Sequence, residues 1–250
     1  MLETPMKNSF DQSVKLKELG QSAGKLKSLA YLVGVYLGDG YAAYVPQNRS
    51  FVFALNTIDE DFAITTMEAI YDLLGKKARI CRTPARPPRQ LVHRVAVNSK
   101  DLVLFLKQET LNKIIIPQFI WKADKEAQRA FIAGIMDSEG WMAICTQNGF
   151  TAYQLGIAGT EPWVKELPDF FGKFGLKCGP IKPMKVKRNE KPKVRVLINK
   201  ISWISNKCYF NIKRKQSRIQ KYDETLSDYW RRRQISIPQR LHARPINGKI

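Results

Sequence analysis

Three things are scarce in this sequence, and each scarcity excludes something. There are four cysteines, Cys81, Cys145, Cys178 and Cys208, with no Cys-x-x-Cys pair, and two histidines, His93 and His242. That spacing indicates neither a disulfide framework nor a zinc site, which suits a reducing compartment. No apolar run reaches the length of a membrane span, and the first residues hold no signal-peptide core. A soluble, intracellular protein without a membrane partner is therefore expected, cytoplasmic or nucleoid-associated, with an organelle also open. Acid is the third shortage: 22 Asp and Glu face 42 Lys and Arg, for a net charge of +20. An excess of that size attracts a polyanion, and nucleic acid is the first candidate.

What the chain does have is a stretch that occurs twice. Residues 30–40 read Ala-Tyr-Leu-Val-Gly-Val-Tyr-Leu-Gly-Asp-Gly, and residues 130–140 read Ala-Phe-Ile-Ala-Gly-Ile-Met-Asp-Ser-Glu-Gly. At an offset of 100, Gly34 falls on Gly134, Gly38 on Ser138, Asp39 on Glu139 and Gly40 on Gly140. Each copy reads as an apolar helix ending in a carboxylate. Apolar residues nearly all round the first copy predict that it is buried, with Ser28 as its cap.

The flanking segments repeat in the same order. Tyr41–Val45 and Phe51–Asn56 read as a hairpin, Asp59–Leu74 as a helix stopped by Gly75, and Ala78–Arg82 with Leu91–Asn98 as a second hairpin. Ser99 can cap a short helix from Lys100 to Lys107, and Lys113–Ile120 reads as extended. In the second half Trp141–Thr146 pairs with Tyr153–Ala158, Thr160 can cap a helix ending near Gly175, and Leu176–Lys187 pairs with Val194–Asn199. A short helix near Ile201–Asn206 follows, and a last helix begins at Ser217. The expected fold is α+β: two pseudo-symmetric αββαββα repeats, with a saddle of antiparallel sheets and a central two-helix interface. The expected domains are an N-terminal extension (1–25), a first repeat (26–124), a second repeat (125–222) and a basic tail (223–250).

Small residues at every fourth position let two such helices approach closely across a pseudo-two-fold. A lone acid at a helix end is ordinarily just solvated. Two acids at matching positions, both where the helix dipole disfavours negative charge, call for a compensating cation. Oxygen-only ligation favours Mg²⁺, with Mn²⁺ or Ca²⁺ able to occupy the same sites, over zinc. Mg²⁺ held by carboxylates suits phosphodiester hydrolysis.

Leu32–Gly40 and Ile132–Gly140 resemble the two signature helices of the LAGLIDADG homing endonucleases, in the form that carries both copies in one chain. The resemblance runs from about residue 26 to residue 220. It implies that Asp39 and Glu139 are the catalytic, metal-binding acids, with Gly38 and Ser138 beside them in the metal site. It further implies a monomer that cuts both strands of a long, asymmetric double-stranded DNA target. The signature's sixth position, often acidic, is Leu37 in one copy and Asp137 in the other, which points to altered helix capping. The family's active sites also use a basic residue; Lys213 is the best match, with Lys113 one repeat earlier. Asn56, Asp59 and Thr160 are conceivable water-positioning groups.

The basic excess falls in equivalent windows. Residues 76–100 carry eight Lys and Arg and no acid; residues 176–200 carry nine, against Glu190 alone. A β-ribbon fits the major groove, so Arg79, Arg82, Arg86, Arg89 and Arg94, with Lys182, Lys185, Lys187, Lys193 and Arg195, are the candidate DNA contacts. Most would touch phosphates and a minority read bases. Two other functions share the scaffold: an intron maturase whose partner is intron RNA, and a DNA-binding regulator that no longer cuts. Retention of both acids favours the nuclease. Asn247-Gly248-Lys249-Ile250 is not an intein end.

Overall fold

The computed structural model describes residues 22–84, 90–147, 150–160, 162–184 and 192–235. The two signature helices are Ala23–Leu37 (α1) and Lys125–Ser138 (α5). Every residue from Leu29 to Leu37 is buried, as the all-round apolar pattern requires. Ser28 lies inside α1 rather than at its start, and its hydroxyl donates to Asp72 at 3.4 Å. No strong breaker separates residue 22 from residue 28, so the helix extends back to Ser22 at its cap position. On α5, Asp124 does cap, its Oδ1 accepting from the Ala127 amide at 2.7 Å.

Each signature helix leads into a four-stranded antiparallel sheet. The first sheet comprises Tyr41–Val45 (β1), Ser50–Thr57 (β2), Arg79–Thr83 (β3) and Val92–Asn98 (β4), in the order β1-β2-β4-β3. The second comprises Gly140–Gln147 (β5), Phe150–Gly159 (β6), Lys182–Pro183 (β7) and Val194–Ile198 (β8), in the order β5-β6-β8-β7. The identical orders bear out the duplication. Helices Glu60–Leu74 (α2) and Lys100–Glu109 (α3) serve the first sheet; Leu167–Phe174 (α6) and Lys200–Ser205 (α7) serve the second. One sheet face is apolar and buried, as Phe53, Leu55, Val95 and Val97 are in the first repeat and Leu155, Ile157, Val196 and Ile198 in the second. The alternate residues form the open face.

The structure departs from the sequence expectation in four places. Thr160 caps no α-helix: a 3-10 turn over Pro162–Glu166 precedes α6. Pro168 near the start of α6 lacks the N–H that a longer helix would need. Residues 111–113 form a left-handed turn, and a short helix, Gln118–Lys122 (α4), replaces an extended run. Strand β7 has only two residues, one of them Pro183, which cannot donate to the ladder. The last helix, Lys213–Ile235 (α8), starts four residues earlier than Ser217. Among the described residues no helix is long and apolar enough to cross a membrane.

Candidate active site

Glycine decides how closely α1 and α5 meet. A Cβ built on Gly134 would lie 2.3 Å from the Tyr31 carbonyl oxygen, and one on Gly34 would lie 2.5 Å from that of Phe131. One turn on, a Cβ on Gly38 would fall 2.3 Å from the Ser138 Cβ and 3.2 Å from the Glu139 Cγ. Only hydrogen fits at these points, so the two helices touch backbone to backbone and their C-terminal ends converge. Asp39 and Glu139 follow directly.

Convergence has an electrostatic cost that shows at Glu139. Glu139 is pushed up to about 7, first by burial and then by the negative charge of Asp39; Lys113, Lys193 and Lys215 pull the other way. Asp39 is raised less. It is exposed as a residue, but the protein crowding its carboxyl still outweighs the pull of Lys215 and Lys113. These are two neighbouring acids that resist ionising together.

Two lysines reach the ends of the signature helices. The Lys113 ammonium donates to the Gly38 carbonyl at 2.7 Å. Lys215 Nζ donates to the carbonyls of Met136 at 3.0 Å and Asp137 at 2.7 Å. Lys215 is buried, which lowers its pKa to about 8. Lys213, expected in this role, turns outward: its side chain is exposed, and its backbone amide donates to Asp61 at 2.5 Å. A strict offset from Lys113 points to residue 213, whereas the lysine that reaches the end of a signature helix lies two residues later. A usable signal was present, because Ile212, Lys215 and Ile219 share one helical face, and that face is the buried one. Lys113 is presented by the turn in which Leu111, Asn112 and Lys113 all have positive φ, at 47°, 55° and 69°. The Thr110 hydroxyl braces it, accepting from the Lys113 amide at 3.1 Å.

Asp137 is a hub rather than a helix cap. Its buried carboxylate accepts from the Tyr31 hydroxyl (3.0 Å), the Asn211 amide (2.9 Å), the Asn211 side chain (2.8 Å) and the Ile212 amide (3.3 Å). Burial raises it to about 6, and those four donors hold it down from a higher value. Leu37 in the other copy cannot do this, so the two halves are supported differently.

A cleft of about 380 Å³ is lined by Asp39, Asn56, Asp59, Ser138, Arg214 and Lys215, among others. Asp39, Asn56 and Lys215 thus share one space, and sequence proximity links none of them. Thr160 is not among its lining residues. The fit to a divalent cation rests on the two carboxylates, hard oxygen donors that the converging helix ends hold close enough for the charge of Asp39 to raise Glu139. Gly38 is a weaker candidate because its carbonyl already accepts the Lys113 ammonium. The Ser138 hydroxyl lines the cleft and donates to Gly134 at 3.1 Å. Among the described residues no group of three or more His, Cys, Asp or Glu could hold a metal ion.

The open face of the first sheet adjoins this cleft through Asn56. In the first sheet Asn56 pairs with Arg94, which pairs with Cys81; in the second, Ala158 pairs with Arg195, which pairs with Lys182. Arg94 and Arg195 therefore occupy matching rows. Arg79 and Arg94 line an open groove of about 740 Å³ with Lys76 and Lys77. Lys182 and Lys193 are exposed, and Arg195 is half-buried. Arg82 does not join this surface. One residue out of phase with Cys81, it faces the helix side and donates to Glu60 at 2.6 Å. Arg86, Arg89, Lys185 and Lys187 lie outside the described residues.

No family model matches the chain. Over 136 residues it is 28% identical to an uncharacterized protein of Methanocaldococcus jannaschii, a match covering 54% of this chain and 46% of that protein. The chain thus spans less than half the length of that curated relative. Three solved structures share the architecture. The homing endonuclease I-WcaI bound to its DNA recognition sequence has a TM-score of 0.52 at 16% identity, covering 77% of this chain and 86% of its own. The LAGLIDADG homing endonuclease I-GzeII in complex with its DNA target has a TM-score of 0.52 at 10% identity, covering 84% and 93%. I-DmoI in complex with DNA and calcium has a TM-score of 0.50 at 19% identity, covering 73% and 87%. At these identities the likeness establishes the fold. The chain has the LAGLIDADG homing-endonuclease fold in its single-chain, two-repeat form.

Proposed function

We propose that this chain is a divalent-metal-dependent endonuclease that hydrolyses both strands of a long, asymmetric double-stranded DNA site, acting as a monomer. The observation that carries the reading is the glycine-to-glycine packing of α1 and α5, which sets Asp39 beside Glu139 against their mutual repulsion. A structural role would not require two acids there, and an uncut-DNA binder or an RNA-binding maturase has no use for the second one. The solved neighbours bound to DNA, one of them with calcium, point the same way.

Asp39 and Glu139 would hold Mg²⁺, or Mn²⁺ or Ca²⁺ in its place, and the bound ion would supply an activated water and charge stabilisation at the leaving oxygen. The protein's own contribution is placement and charge. Lys215 in the Asp39 cleft and Lys113 near Glu139 set a cation beside each acid, where negative charge builds on the phosphate in the transition state. The cleft-facing Asn56 offers a donor and an acceptor for orienting water at the Asp39 site. Its row-mate in the second repeat, Ala158, offers neither. Arg79, Arg94, Lys182, Lys193 and Arg195, together with Arg86, Arg89, Lys185 and Lys187 from the segments between the strands, would bind the duplex, two sheets spanning roughly 20 base pairs at ~10 per helical turn. An intracellular site of action follows from that substrate.

The test is cleavage of a duplex made by joining the genomic flanks of the gene, in Mg²⁺. Asp39→Asn and Glu139→Gln should each abolish the double-strand break and leave binding intact. Cutting at the wild-type rate by the double variant would remove the acids from the mechanism.

A further inference from the structure

Five consecutive residues, 211–215, each make a long-range hydrogen bond. Asn211 and Ile212 donate to Asp137 on α5. The Lys213 amide donates to Asp61 at 2.5 Å, and the Arg214 guanidinium grips Asp59 through two bonds of 2.5 and 2.8 Å. Lys215 then reaches the Met136 and Asp137 carbonyls. Asp59 and Asp61 belong to the other repeat, at the N-terminus of α2.

An acid at that position ordinarily caps its own helix. Asp59 stands at the cap position of α2 yet makes no side-chain capping bond. Its carboxylate is spent on Arg214, and its own amide is fixed by the Thr57 hydroxyl at 3.0 Å. Asp61 divides its oxygens, one on the Phe62 amide at 3.1 Å and the other on Lys213. A cap given up for a contact across the two repeats has a use elsewhere, and the group it fixes is the next residue along, Lys215. A buried ammonium next to carboxylates 39 and 59 has alternative partners close by, so the segment that leads into it, residues 211–214, must be pinned to both repeats to keep it aimed at the cleft.

We infer that Asp59, assisted by Asp61, is a positioning residue that sets Lys215 through Arg214. It is neither a ligand nor a water-orienting group of the Asp39 half-site. The inference rests on the nuclease reading for its rate consequences but not for its geometry. Displacing Lys215 by about an ångström slows the chemistry on the order of 10²-fold.

The test is a double-substitution cycle read at two levels. Asp59→Ala, and separately Arg214→Ala at a more exposed site, should slow one strand's cleavage on the order of 10²-fold and leave target binding in Ca²⁺ unchanged. Asp59→Ala combined with Lys215→Ala should be no slower than Lys215→Ala alone. In the metal-free protein, acylation of Lys215 followed by peptide mapping should rise in Asp59→Ala. It should return to the wild-type level when Asp59→Arg is combined with Arg214→Asp. Additive rate losses, unchanged acylation, or lost Ca²⁺-supported binding in Asp59→Ala would each overturn the assignment. If the wild-type chain cuts no DNA the nuclease reading fails, and the acylation comparison alone still decides the positioning role.

Discussion

Gly34 and Gly134 face each other across the molecular centre so closely that a Cβ on Gly134 would sit 3.2 Å from the Gly34 Cα. The obstruction on each side is main chain, which cannot swing aside as a side chain can. Gly134→Ala should therefore destabilise by about 3 kcal/mol or more, at the upper end of the overpacking range, and should lower cutting even where the protein folds. Gly24→Ala is the matched control, since a Cβ there meets nothing within 4 Å and lies in the same helix as Gly34. Alanine's better helix propensity should make it neutral to stabilising by up to about 1 kcal/mol. Urea unfolding of the two variants compares them directly.

The paired acids predict an opposed response to pH and to metal. Between the ordinary value of 4.5 and about 7, Glu139 binds more proton in the folded chain than in the unfolded one. Its contribution to stability is thus complete at low pH, falls as pH rises through that window, and is gone above about 7. A divalent cation opposes the loss by binding the ionised pair. The gain in Tm on adding Mg²⁺ should accordingly be larger at about pH 8 than at about pH 5.5. Glu139→Gln should reduce the difference. An equal gain at both pH values would show that the ion binds elsewhere.

Lysine placement can be tested by contrast. Lys215→Met keeps most of the volume but leaves the Met136 and Asp137 carbonyls without their buried donor, so stability should fall by about 1–3 kcal/mol. Cleavage by the folded variant should fall by a factor on the order of 10², the loss expected when a preorganised charge is deleted. Lys213→Ala touches an exposed side chain and should change the rate little. A single-turnover assay with both variants distinguishes the two lysines. The reverse ranking would place the working amine at 213.

The turn that carries Lys113 stores strain, because a left-handed Leu costs roughly 1–2 kcal/mol that glycine avoids. Leu111→Gly should stabilise the fold by about 1 kcal/mol, since Leu111 is exposed at 52% and loses little packing. Thermal denaturation measures it. A loss of stability would mean that the side chain has a packing role that outweighs the strain.

How much of this was legible in sequence depends on the kind of constraint. Alternation and helical spacing placed both sheets and the signature helices, because burial of one face is a local pattern. Gly34, Gly38 and Gly134 were legible as a pair of stripes, because each copy interprets the other. Lys215 is not picked out by a fixed offset of 100, because the repeats drift from that spacing (Asn56 answers to Ala158 and Arg94 to Arg195) and matching by offset ignores which face a residue occupies. The diversion of Asp59 from capping to Arg214, 155 residues away in sequence, leaves no local trace. Arg82 did leave a trace: three residues from Arg79 on one strand, it falls on the opposite face by the two-residue period, which grouping by basic window ignores.

Arg82 supplies the last contrast. It belongs to the same basic window as Arg79 and Arg94, and composition alone gives the three equal standing. The pleat separates them: Arg79 and Arg94 lie on the open face, while Arg82 points to α2 and is neutralised by Glu60. If the open face holds the duplex, Arg94→Ala should lower the slope of log K against log salt by about 1, the loss of one phosphate contact. Should Arg94 read a base instead, its loss would weaken binding to one target more than to a scrambled duplex and relax sequence preference at that position. Arg82→Ala should leave the slope and the preference unchanged, with at most a few tenths of a kcal/mol lost from an exposed ion pair. Fluorescence anisotropy across a salt series, in Ca²⁺ to prevent cutting, separates these outcomes. A slope change at Arg82 equal to that at Arg94 would mean that DNA reaches the helix side of the sheet, and the open-face docking would have to be given up.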